Sequence, residues 1–117
     1  MPAGVAFVLD VVFVLVFAAV GRASHDEGNA VVGVLATAWP FLVGLTIGWG
    51  LVRTLSHRWA VDVGTAISVV VSTVVVGMFL RAVTGQGTAP SFVLVATLVL
   101  AVLLLGWRAV AARVGRR

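Results

Sequence analysis

The sequence contains no cysteine and no lysine, and its only acidic residues are Asp10, Asp26, Glu27 and Asp62. The absence of cysteine excludes disulfides, thiolate metal sites and thiol chemistry. Charged residues make up only 10% of the chain, against about 25% in soluble domains. Nucleophile elbows, phosphate loops, zinc spacings and dinucleotide fingerprints are also missing. We therefore expect no enzyme, no cofactor and no metal site.

The chain is rich in apolar residues instead. Its 117 residues are 62% hydrophobic, with a mean hydropathy of +1.20, which is more apolar surface than a soluble fold of this size can bury. Four apolar stretches, at 4–21, 30–52, 61–80 and 91–110, are each near the roughly 20 residues that cross a bilayer. We predict an all-α polytopic membrane protein, a single domain over 1–117. Its four transmembrane helices would form an antiparallel up-down bundle.

The arginines lie near the ends of these stretches, which indicates lipid anchors and topology signals and argues against nucleic acid as a partner. Four spans place both termini and the second loop on one side. That side carries six arginines, and the opposite side carries two, Arg22 and Arg81. The bias predicts a cell-membrane protein with both termini in the cytoplasm.

Asp10 is the only charge before Arg22 and lies inside an apolar run. A carboxylate at membrane depth costs about 2.5–3.5 kcal/mol on insertion scales and is a functional-site hypothesis by default. Two structural explanations compete with function. The carboxyl could be protonated, or it could form an ion pair with Arg53 or Arg108, whose apolar stems can reach inward.

Other polar residues could join Asp10 in a transport site. Thr46 and Ser68 fall at a similar depth on other helices, either as a polar site or as a hydrogen-bonded packing layer. Pro40 removes a backbone donor and frees a carbonyl in mid-helix, which Thr37 or a permeating species could satisfy. The remaining candidates are Ser72, beside this layer, and three residues that would shape the outer entrance: Arg22, His25 and Arg81.

Two further patterns concern packing and metals. Small residues at three- and four-residue steps, including Gly44, Gly48 and Ser72, indicate a contact between the second and third helices or a homo-oligomer interface. Trp107 and Arg108 resemble an interfacial anchor on the fourth helix. The two histidines fall in opposite loops, which argues against a haem or metal site.

Several features of the chain form a specific combination: Asp10, Gly48-Trp49, Arg81 and four short segments, 17–25 (FAAVGRASH), 39–41 (WPF), 91–92 (SF) and 105–108 (LGWR). In this combination the chain resembles the bacterial and archaeal membrane proteins of the domain of unknown function 3054 family. The resemblance covers nearly the whole chain. It implies a membrane fold and a set of notable positions, but no activity.

Two functional hypotheses follow. The first is a small transporter or channel in which Asp10 responds to protons or cations. The alternative is a structural or accessory membrane subunit in which Asp10 is held in an ion pair. Its partner would be a second copy or another membrane protein.

Overall fold

The computed structural model describes residues 1–23 and 30–115. Within these residues it contains four α-helices: α1 (Ala3–Ala23), α2 (Ala30–Ser56), α3 (Val63–Val83) and α4 (Pro90–Gly115). All four are long and apolar enough to cross a membrane. The prediction of four membrane helices is therefore confirmed, and the described residues form no strand.

Each helix continues past the apolar stretch that predicted it, most of all α2 and α4. The sequence analysis ended the second and third helices before Arg53 and Arg81, yet both arginines lie inside helices. The reason is that a charge ends a hydropathy stretch but does not end a helix, because arginine has a high helix propensity.

Local hydrogen bonds and backbone conformations determine where α2 ends and where α3 begins and ends. The turn after α2 contains His57, whose φ of 59° is left-handed, and its N–H donates to the Arg53 carbonyl. Asp62 caps the N-terminus of α3 by accepting from the Thr65 backbone N–H at 2.8 Å. Gly85, with a φ of 79°, follows the C-terminus of α3, where only glycine adopts this conformation freely.

The pKa of the Asp62 carboxyl is shifted by its contacts. The Thr65 hydroxyl and backbone N–H donate to it, and Arg58 forms an exposed ion pair with it. Because these contacts favour the ionised form, they hold the pKa of Asp62 below its ordinary value of 3.8.

The helices pack in a ring in which α2 contacts α1 and α3, and α4 contacts α3 and α1. The closest approach is between α2 and α3. A Cβ added to Gly44 would lie 2.8 Å from the carbonyl oxygens of Ser72 and Thr73. The Ser72 hydroxyl donates to the Gly44 carbonyl at 2.8 Å. The small residues of α2 thus serve the contact with α3, which was the first of the two predicted roles.

Aromatic rings fill one end of the bundle. Phe17 of α1 meets Phe41 of α2 edge to face, with centroids 5.3 Å apart, and Phe92 of α4 lies 6.2 Å from Phe17. Phe41 also covers Gly77 of α3. The four helices therefore converge on one apolar cluster at this end.

The outer surface is as apolar as the interior. On α1 the buried positions include Ala6, Val14 and Ala18, whereas Val8 and Val20 are exposed. A soluble protein places polar residues at such outward positions. This is the architecture of a multi-pass membrane protein, whose outer faces meet lipid.

Candidate functional site

Asp10 is fully buried, seven residues into α1, and four N–H groups converge on its carboxylate. Oδ1 accepts from Arg108 at 2.7 Å and from the Trp107 indole at 2.8 Å. Oδ2 accepts from Arg108 at 2.7 Å and from the Trp49 indole at 2.8 Å. An ionised carboxylate offers about four lone-pair sites, so every acceptor position on Asp10 is filled.

Arg108 is 2% exposed, and all five of its N–H groups have acceptors. Two donate to Asp10 in a bidentate pair, and one donates to the Leu104 carbonyl at 2.9 Å. The other two donate to the Ala60 carbonyl, at 2.6 Å and 3.2 Å. The guanidinium also lies 4.5 Å from the centroid of the Trp107 ring. The arginine is therefore as fully paired as the aspartate.

The donors around Asp10 determine its charge. All four of its partners are N–H groups, so a proton on either oxygen would face a donor and find no acceptor. The arrangement consequently fits an ionised Asp10 beside a charged Arg108. The alternative explanation of a protonated carboxyl does not fit this geometry.

Three helices and one loop build the site. Asp10 comes from α1, Trp49 from α2, and Trp107 and Arg108 from α4, while Ala60 lies in the segment between α2 and α3. Ala60 is fully buried despite lying outside the helices. Because its carbonyl accepts two arginine N–H groups, the loop is held against the end of the bundle.

Of the two predicted partners of Asp10, only Arg108 pairs with it. Arg53 instead donates to the His57 carbonyl at 2.7 Å, and its guanidinium lies 4.6 Å from the Trp59 ring centroid. This difference follows from helix rotation, since Arg53 is exposed on the outer side of α2.

The predicted polar layer does not assemble around Asp10. Thr46 and Ser68 are both exposed, and the Thr46 hydroxyl donates to the Leu42 carbonyl of its own helix. Pro40 is buried inside a continuous α2, and Thr37 is half-buried. Thr46 and Ser68 were predicted at the depth of Asp10, but both lie on the outer faces of their helices.

Three residues were predicted to shape the outer entrance, and the structure describes the side chain of one of them, Arg81. This residue donates to the Gly87 carbonyl and to the Gln86 side chain, and lies 4.5 Å from the Phe92 ring centroid. His25 and the side chain of Arg22 lie outside the described residues. Arg81 therefore closes the turn between α3 and α4.

The sequence analysis missed Trp49 and Trp107 as donors. It gave two interpretations of Arg108, and the ion pair with Asp10 is the one confirmed. The interpretation of Arg108 as an interfacial anchor was wrong, because the residue is buried against Asp10. A signal was available, since Gly-Trp occurs at 48–49 and again at 106–107. A tryptophan at the end of an apolar stretch usually indicates the membrane–water interface. The sequence analysis therefore did not consider that the indole N–H could donate to Asp10.

Comparison with known families decides the family of the chain. The family model described as "Protein of unknown function (DUF3054)" matches residues 7–111. The chain belongs to the DUF3054 family. A search of curated proteins and a search of solved structures each find no match.

Eight of the residues that carried the resemblance to DUF3054 meet in two places in the structure. Asp10, Trp49, Trp107 and Arg108 form the buried charge site. Phe17, Phe41, Phe92 and Arg81 form the aromatic end of the bundle. No group of three or more His, Cys, Asp or Glu residues that could hold a metal ion occurs in the described part of the chain.

Proposed function

We propose that this DUF3054 protein is a structural or accessory membrane subunit rather than a transporter. The observation that carries the proposal is the complete pairing of Asp10 and Arg108. A carrier site must exchange its partners for protons, ions or water during the cycle. Here four acceptor positions and five donors are already satisfied within the protein.

Burial of the site supports the same proposal. Asp10 is fully buried, and no buried side-chain polar atom of the described residues lacks a hydrogen-bond partner. Charged groups that serve transport line water-filled cavities or pathways. A buried, saturated pair instead fixes the relative positions of α1, α2 and α4.

We further propose an antiparallel bundle with both termini in the cytoplasm. Contacts between α2 and α3 support the first part, since Phe41 meets Gly77 whereas Gly48, further along α2, meets Val69. Arginine bias supports the second part. Five arginines remain on the terminal side when the buried Arg108 is left out, against two on the other.

Flux through liposomes tests the functional proposal. Purified protein is reconstituted, a proton or potassium gradient is imposed, and an entrapped pH-sensitive dye or ion indicator reports leakage. We expect the same leakage as in protein-free liposomes, with an added ionophore showing that the gradient was intact. Saturable flux above that level in the unmodified protein would overturn the proposal, whatever any variant does.

Orientation can be tested by single-cysteine labelling, because the natural chain has no cysteine. Val114→Cys and Thr88→Cys place one thiol at an exposed position at each end of the bundle. In intact cells, a membrane-impermeant maleimide should label Thr88→Cys alone. Val114→Cys should react only after the cells are permeabilised. The reverse pattern would contradict cytoplasmic termini.

A further inference from the structure

An open apolar groove runs between α1 and α2. It encloses about 550 Å³. Phe7 and Trp49 lie along it, and their rings meet edge to face at 5.4 Å. Gly4 and Gly50 also line it, and a Cβ added to either glycine would have no atom within 4 Å. The two glycines therefore leave space that a side chain would fill.

The groove is open to the outer surface of the bundle and reaches nearly to the C-terminal end of α2. Along α2 it extends from Thr46 to Arg53 and Thr54, a rise of about 12 Å at about 1.5 Å per residue. Ala3 begins α1, and Ala3 and Trp59 line the same end of the groove as Arg53. In a bundle that spans a bilayer, the ends of the helices reach the level of the lipid headgroups, where tryptophan is enriched.

Near this end of the bundle, Arg58 and Arg108 each pair with a carboxylate, whereas Arg53 pairs with none that the structure describes. Arg58 is paired with Asp62, and Arg108 with Asp10. Arg53 donates one N–H to the His57 carbonyl, and in the described part of the chain no carboxylate lies within ion-pair distance of it. Its guanidinium is thus held by one hydrogen bond and by the Trp59 ring, 4.6 Å from the ring centroid, without a counter-charge among the described residues.

We propose that this groove binds an anionic phospholipid, with one acyl chain against Phe7, Trp49 and the two glycines and the phosphate on Arg53. An apolar channel that ends at a held guanidinium matches the chemistry of such a lipid. Arginine is suited to phosphate because its planar fork donates two parallel hydrogen bonds. The uncompensated positive charge favours an anionic headgroup over a zwitterionic one.

The site is separate from the buried pair but shares one residue with it. The ring of Trp49 lines the groove, while its N–H donates to Asp10. A chain lying in the groove would pack against that ring and restrict its motion. Lipid binding would therefore stabilise the charge site without touching either charge.

Lipid binding is measured on protein in mild detergent by native mass spectrometry, with phosphatidylglycerol, phosphatidylcholine and inorganic phosphate added separately. We expect phosphatidylglycerol to bind more tightly than phosphatidylcholine, and inorganic phosphate not to bind. Arg53→Gln should weaken phosphatidylglycerol at least about tenfold, equivalent to about 1.4 kcal/mol, and should abolish the preference between the two lipids.

Filling the groove provides the second test. Gly50→Leu should weaken both lipids, because its side chain occupies the acyl-chain space. Gly106→Leu is the matched control, since Gly106 is also a helical glycine with open space around its Cβ but does not line the groove. Unchanged binding in Gly50→Leu, or equal loss in Gly106→Leu, would overturn the site. Equal binding of both lipids to the unmodified protein would overturn the anionic preference.

Discussion

Neutralising Asp10 while Arg108 stays in place would leave a guanidinium buried without its counter-charge. Asp10→Asn keeps the size of the side chain but replaces one acceptor with an NH₂ group that faces N–H donors. Removing one partner of a buried pair costs about 3–5 kcal/mol. We expect Asp10→Asn and Arg108→Met each to lose about this much of the free energy of unfolding.

The double variant Asp10→Asn with Arg108→Met should lose much less than the sum of the two single changes. It buries no unpaired charge, and its remaining cost comes from the Ala60 carbonyl and the second indole, at about 1–3 kcal/mol for each unsatisfied group. The difference between the sum and the double variant is the coupling energy. From the centres of these ranges it should be about 4 kcal/mol, well above the roughly 0.5 kcal/mol within which independent sites add.

The assay is unfolding of detergent-solubilised protein by increasing sodium dodecyl sulfate, followed by circular dichroism. Arg58 and Asp62 provide a control pair, since their side chains are 63% and 45% exposed and surface pairs couple by about 0–1 kcal/mol. A cycle of Arg58→Gln and Asp62→Asn should show that small value. If the Asp10–Arg108 cycle were additive within about 0.5 kcal/mol, the buried pair would not be the element that fixes these helices.

Three further changes test other parts of the structure by the same unfolding assay. Trp107→Phe should cost about 1.5–3 kcal/mol, the range for a hydrogen bond to a charged group; no loss would mean that Asp10 does not need this indole. Gly44→Ala should destabilise by about 1–3 kcal/mol, because its Cβ meets backbone at 2.8 Å, whereas Gly106→Ala should be neutral or stabilising by up to about 1 kcal/mol. Asp62→Ala should cost about 1 kcal/mol near neutral pH. Folding lowers the pKa of Asp62. The difference in the free energy of unfolding between the unmodified protein and Asp62→Ala should therefore be complete above the unfolded pKa and vanish as the pH falls through the folded pKa. A difference that persists in acid would contradict the capping role.

Hydropathy was sufficient to predict the four helices and the shelter of Asp10. Both depend only on how much apolar sequence surrounds a residue, which a single chain displays directly. The number of membrane helices and the presence of a buried acid therefore followed from the sequence.

The partners of Asp10 depended on helix rotation, which hydropathy does not report. In a soluble helix, polar residues mark the outer face. On α1 the inward Val14 and the outward Val8 are the same residue type, so the sequence did not mark a face. Depth could be estimated from residue count, and Thr46 and Ser68 were placed beside Asp10 on that basis. Their position around the helix was not available, and both are exposed.

The charge pair has a physical role that apolar packing cannot fill in a bilayer. Lipid tails are as apolar as leucine, so burial of valine and leucine does not drive helices together there. Between α2 and α3, close van der Waals packing holds the helices together, because Gly44 and Gly48 allow the two backbones to approach. The residues that α4 buries in the bundle are mostly alanine and leucine, with Arg108 as the polar exception. Because that arginine pairs with α1 and also holds the Ala60 loop, its loss should release α4 before the contact between α2 and α3 opens.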